Sequence, residues 1–220
     1  MITVIDGPAG SGKSSTARAV ADTLKIEYLD SGALYRTITL LYLQANRNER
    51  ELFRLLNQQE ISFCYRGRQF HVKTDGVRVT DRIRSPEVAE HVSDVAAMPK
   101  VRAFVNQLMR EAVTNGTYIA EGRDLGTIVF PDAELKFFMS ADIEERVRRR
   151  YEEREPDNPD LTLGDVRQNI EERDRKDSNR DADPLKKAED AIAIDTTNLS
   201  FEQQVDQICS YILRMEKRLN

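Results

Sequence analysis

The sequence predicts an α/β fold, a parallel sheet flanked by helices with a small β-rich insertion, and three observations carry that prediction. The apolar run Ile2-Thr3-Val4-Ile5 leads straight into Gly7-Pro8-Ala9-Gly10-Ser11-Gly12-Lys13-Ser14 and then into a stretch of helical period. Apolar runs of strand length then recur, separated by segments in which apolar residues are spaced three and four apart. Between Glu60 and Val79 the pattern switches to short β-prone runs divided by turn residues.

Directly after the first run, Gly7 to Ser14 match G-x-x-x-x-G-K-[ST], whose glycines let backbone N–H groups turn inward around phosphate oxygens. The helix that follows adds its positive end to the same anion. The chain is thus expected to handle a nucleoside triphosphate along Gly7, Pro8, Ala9, Gly10, Ser11, Gly12, Lys13, Ser14 and Ser15. Lys13 would reach the β- and γ-phosphates, and the Ser14 hydroxyl would bind Mg²⁺. From Ser14 to Lys25, Ala17, Val20, Ala21 and Leu24 mark a helix, and Ile26 to Leu29 a short buried strand, which makes a β-α-β start.

A second helix is expected from Ser31 to Ala45, on Leu34, Ile38, Leu41 and Tyr42, followed by a polar stretch around Asn46 to Arg50. Ile61–Cys64, Phe70–Val72 and Val77–Val79, split by Arg66-Gly67-Arg68 and Asp75-Gly76, read as an antiparallel meander. Such a meander does not fit within a parallel sheet without awkward connections, so it is read as an inserted subdomain. Ser85-Pro86 has the form of an N-cap with proline at the first helical position, ahead of Val88, Val92 and Val95. Pro99 breaks the pattern, and a further helix through Val101, Phe104, Val105, Leu108, Met109 and Ala112 should stop near Asn115-Gly116. Tyr118–Ala120, Leu135–Met139 and Ala191–Ile194 read as core strands, and Ser200 with Gln203 as the capping box of a last helix.

Composition narrows the function classes. Thirty-three basic against thirty-eight acidic residues give a net charge of −5, which argues against gripping long nucleic acid through the overall field. No apolar stretch approaches membrane-spanning length, and the N-terminus lacks the basic and apolar regions of a signal peptide, so a cytoplasmic protein with no membrane partner is expected. Cys64 and Cys209 form neither a metal pattern nor a disulfide framework and are read as packing residues. His71 and His91 are read as structural or surface residues. No heptad seam points beyond a monomer.

Residues 146–180 hold ten basic and ten acidic side chains, the balance of two solvated helices with i,i+4 ion pairs. Pro156 to Asp160 interrupts them, giving a helix, a tight break and a helix, a shape suited to a lid over phosphates. Two further segments stand at the C-terminal ends of strands, where open α/β sheets place ligands: Asp30-Ser31-Gly32-Ala33-Leu34-Tyr35-Arg36 and Glu121-Gly122-Arg123-Asp124-Leu125-Gly126-Thr127.

With these two segments, the glycine-rich loop, and Glu172-Arg173-Asp174 through Asp177 and Arg180, the chain resembles the bacterial cytidylate kinases over essentially its whole length. The resemblance implies a P-loop core with a five-stranded parallel sheet (about 1–45, 100–145 and 182–220), a β-rich acceptor-binding insertion (about 46–99) and a helical lid (about 146–181), all in one kinase domain. It implies transfer of the ATP γ-phosphoryl group to CMP or dCMP with Mg²⁺. Arg36 and Arg123 match arginines that hold the acceptor phosphate, and Ser93, Arg102 and Asp124 match residues that meet the cytosine. Ser31, Asp177 and Arg180 match positions around the sugar and phosphate. Arg150 and Arg173 match lid arginines which, with Lys13 and Arg123, would neutralise charge in the transfer. Glu121 stands where those relatives often carry aspartate.

A kinase of another small acceptor, such as shikimate or a nucleoside, would share the loop. A nucleotide-dependent switch would share it too, but no N-K-x-D guanine-reading motif is present. A nucleic-acid binder would need a basic face with interleaved aromatics.

Overall fold

A computed structural model describes residues 1–219. Ile2–Asp6 forms strand β1, in which Val4 and Ile5 are fully buried, as a parallel strand covered on both faces requires. It is central in a five-stranded sheet of order β2-β6-β1-β7-β8, with β2 at Glu27–Asp30, β6 at Tyr118–Gly122, β7 at Leu135–Ser140 and β8 at Ile192–Asp195. Ile2 stands opposite Tyr118 and Thr3 opposite Leu135 in parallel register, and Phe137 stands opposite Ile192. Strand order thus reverses beside β1, the point where such sheets take ligands.

The chain divides into two compact units, Met1–Ile26 with the residues from Thr117 onward, and Glu27–Gly116. In the first unit, helix α1 (Lys13–Leu24) packs on the last helix, α8 (Phe201–Leu219), and ends where Lys25 turns left-handed at φ 58°. The capping box ahead of α8 is formed: Ser200 N–H donates to Gln203 Oε1 at 2.8 Å and Gln203 N–H to Ser200 Oγ at 3.2 Å. Helices α6 (Ile143–Arg154) and α7 (Leu163–Asn179) form the anticipated helical pair across a break at 155–157. Buried Val147, Val166 and Ile170 join them, so the charged faces of both stay solvated.

In the second unit, α2 (Ser31–Gln44) is capped by Asp30, which accepts the Ala33 N–H at 2.8 Å. It packs on α4 (Pro86–Ala96), on α5 (Pro99–Ala112) and on α3 (Glu49–Gln58). The anticipated meander is present as the antiparallel sheet β3 (Ile61–Arg66), β4 (Gln69–Thr74) and β5 (Val77–Arg78). The unit also holds α2 and α5, whose buried residues lie within it. Helix α3 was not anticipated, since its charged start reads as a loop. Cys209 is buried, but Cys64 is exposed on β3 and packs no core, which corrects its reading as a packing residue. Among the described residues no helix is long and apolar enough to cross a membrane.

Candidate active site

The loop after β1 has the conformation its glycines predict. Gly7 sits at φ +149°, and a Cβ there would stand 1.9 Å from the Met139 carbonyl oxygen, so only glycine lets the loop cross β7 this closely. Lys13, at the first position of α1, is buried and donates from Nζ to the Pro8 carbonyl at 2.7 Å and to Ser11 Oγ at 3.3 Å. Burial, with Arg123 as a like charge nearby, pushes its ammonium down to about 7, against an attraction to Glu121 and Asp6. A buried cation held down in this way would be stabilised by a further anion beside it.

Three side chains fix this loop from elements far along the chain. Thr196, just after β8, donates from Oγ1 to the Ser11 carbonyl at 3.1 Å, and Arg149 holds Thr196 by a bond to its carbonyl at 2.6 Å. Gln204 on α8 accepts the Thr16 hydroxyl at 3.1 Å. Residue types alone do not flag these positions, because their partners lie more than forty residues away.

Ser14 Oγ donates to Glu121 Oε1 at 2.7 Å, and Glu121 is buried at the end of β6. Asp6, at the end of β1, accepts the N–H groups of Leu125 at 3.0 Å and Gly126 at 2.8 Å. Its burial pushes the carboxyl up to about 6 although both N–H bonds favour the charged form. Asp6 escaped the sequence reading because it closes an apolar strand. A hydroxyl and a carboxylate, both hard oxygen donors and next to the phosphate loop, suit Mg²⁺ as donor set.

Arg123 and Asp124 follow β6 directly and are held from α7 and its C-terminal end. Arg123 Nε donates to Asp177 Oδ2 at 2.8 Å, and Arg180 Nη2 donates to Asp124 Oδ1 at 3.0 Å. The Arg180 and Asp124 side chains are 7% and 5% exposed, so this is a buried ion pair. Burial alone would raise the Asp177 carboxyl, but Arg123, Arg173 and Arg180 hold it below the usual range. The structure thus brings Arg123, Asp124, Asp177, Arg180 and Arg173 into one network. Arg150 has Glu153 of its own helix as partner at 2.6 Å.

In the second unit, Ser31 opens α2 and is buried, and Arg36 lies half-buried little more than one turn on. Ser93 is half-buried on α4. Arg102, buried on α5, donates to the Ala96 carbonyl at 3.2 Å and lies over the Tyr35 ring at 5.5 Å. A fully buried guanidinium stacked on an aromatic ring is a fixed donor set, the kind that reads a polar ligand edge. His71 and His91 bond backbone carbonyls of Arg66 and Glu87.

A sequence model of the cytidylate kinase family matches residues 2–214. The chain belongs to that family. A cytidylate kinase of Fervidobacterium nodosum is 43% identical over 209 residues, covering 94% of both chains. That of Salinibacter ruber is 42% identical over 227 residues and covers 99% of both. Among solved structures, an uncharacterized protein of Eubacterium ventriosum superposes with a TM-score of 0.52 at 14% identity, covering 96% of this chain and 97% of that one, and shares the fold alone. Cytidylate kinases are phosphotransferases, and the chain is an enzyme of that class, with the phosphate loop as the feature it shares with P-loop kinases in general.

Proposed function

We propose that the enzyme transfers the γ-phosphoryl group of ATP to CMP or dCMP, forming ADP and CDP or dCDP. The observation that carries this reading is the network in which Asp177 and Arg180 hold Arg123 and Asp124 at the end of β6. Two guanidiniums and two carboxylates, paired one to one, are largely shielded from water and fixed at the binding edge of the sheet.

On this reading Gly7 through Ser15 cradle the triphosphate, with Lys13 on the β- and γ-phosphates. Ser14 would hold Mg²⁺ with Glu121 behind it, and the ion, when bound, supplies charge neutralisation between the phosphates. Arg36 and Arg123 take the acceptor phosphate, while Ser31, Asp177 and Arg180 surround the sugar and phosphate. Ser93, Arg102 and Asp124 read the base. Cytosine offers an exocyclic amine that a carboxylate accepts, whereas uracil offers a carbonyl with no proton to share. Arg150 and Arg173 neutralise the migrating group. No general base is assigned: the attacking phosphate oxygen has a second pKa of about 6 and is largely ionised at neutral pH. The chain's residues therefore align and neutralise, the two tasks this transfer needs. The whole chain serves as one kinase domain, working as a cytoplasmic monomer with α6 and α7 as its lid.

A coupled assay of ADP release over CMP, dCMP, UMP, AMP and GMP tests this. ADP formation should depend on added CMP or dCMP. Equal or faster turnover of AMP or GMP would remove the cytosine assignment, and tight ATP binding with no acceptor-stimulated turnover would favour a switch.

A further inference from the structure

Ala9 lies within the phosphate loop, and both polar groups of its main chain are held by side chains. Its N–H donates to Asp174 Oδ1 at 3.2 Å, and its carbonyl accepts from Arg146 Nη1 at 3.0 Å. Arg146 Nη1 also donates to Asp174 Oδ2 at 2.5 Å, which closes a ring of contacts between the loop, the first turn of α6 and α7. The two side chains are 11% and 22% exposed, so water screens their pairing weakly. Gly10 allows α6 to come this near: at φ +76°, a Cβ there would stand 3.1 Å from Arg146 Cβ.

A carboxylate bonded to a phosphate-loop amide poses an electrostatic problem. The loop aims its N–H groups at anions, so an uncompensated aspartate would compete with the nucleotide for Ala9 and repel its phosphates. Arg146 cancels that charge and fixes the Ala9 peptide from its carbonyl side. We infer that Arg146 and Asp174 are a positioning pair for the reaction, setting the Ala9 peptide of the phosphate loop, with Arg146 acting through Asp174 and the loop and not by touching the nucleotide. The pair rests on the reading of the loop as the ATP site, and it ties the shape of that site to the α6/α7 pair.

The two roles open to Arg146 predict opposite double-variant behaviour. ATP binding is titrated calorimetrically in the absence of acceptor for Arg146→Gln, Asp174→Asn and the double variant, alongside thermal melts and the KM for CMP. Arg146→Gln removes the cation bonded to Asp174, leaving Arg123 to offset the carboxylate through charge, and should weaken ATP binding about tenfold, with the KM for CMP within about twofold of the wild type. Adding Asp174→Asn removes the offending charge and should restore ATP affinity to within about threefold. A double variant as weak as Arg146→Gln would mean that the arginine touches the phosphates, which overturns the pair, as would Arg146→Gln binding ATP normally. Hydrogen exchange supplies a readout that does not need Arg146→Gln to fold. The Ala9 amide should exchange at least about tenfold more slowly in the nucleotide-free wild type than in Asp174→Ala, and equal rates would reject the pair. Failure of the wild type itself to bind ATP would bring down the reading of the loop, and the pair with it.

Discussion

The Ser14 hydroxyl donates to the Glu121 carboxylate across 107 residues of sequence, at 2.7 Å, joining the residue after the loop lysine to the end of strand β6. The Glu121 carboxylate reaches the hydroxyl directly. A carboxylate behind a hydroxyl ligand raises that ligand's electron density and fixes its direction.

Glu121→Gln keeps the size and loses the charge. The Mg²⁺ concentration for half-maximal rate should rise about tenfold at saturating nucleotide, measured as ADP release against free Mg²⁺. An unchanged Mg²⁺ requirement would assign Glu121 a purely structural bond to Ser14.

Lys13 gives a pH prediction with a defined sign. Its folded-state pKa of about 7 lies below the ordinary 10.5, so the unfolded chain binds more protons between these values, and free-enzyme stability should rise with pH across that window. A bound triphosphate restores the ammonium. At pH 8, ATP binding should therefore take up close to one proton, read from calorimetry in buffers of different ionisation heat, and at pH 6 almost none. Lys13→Met should abolish the uptake; uptake that persists in that variant would place the titrating group elsewhere.

Arg180→Met removes the guanidinium bonded to the buried Asp124 carboxylate. The free enzyme should lose about 3 kcal/mol of stability in urea denaturation, because a broken buried pair strands a charge in a poorly solvating site. Combining it with Asp124→Asn should recover part of that loss. Strictly additive losses would show that the two side chains do not act as a pair.

The contrast between what the residues reveal and what they hide follows from contact range. Gly7, Gly10 and Gly12 declare the loop because its left-handed turns exclude other residues, and Ser200 with Gln203 declares a helix start because the bonds run over three residues. Helix α3 had such a signal, Asn48 capping the Glu51 N–H with Leu52 and Leu56 buried behind it, but the charges around it resemble a loop. Asp6, Arg146, Arg149, Thr196 and Gln204 bond partners 47 to 188 residues away, and only the folded topology brings those together. The π-helical turn at Leu125–Val129 belongs to the same class: Asp6 organises it by taking the Leu125 and Gly126 N–H groups. Arg36, Ser93 and Arg102 are proposed as site residues through resemblance alone, since a lone arginine or serine on a helix is most often a surface residue.

Following the phosphorus is the most direct measurement. With ATP labelled at the γ-phosphate and CMP as acceptor, the label should appear at the β-phosphate of CDP in step with ADP, and Arg123→Ala should lower that transfer at least about a thousandfold. Label released as inorganic phosphate at a rate indifferent to CMP, or full transfer by Arg123→Ala, would contradict an acceptor held by this arginine beside the ATP loop.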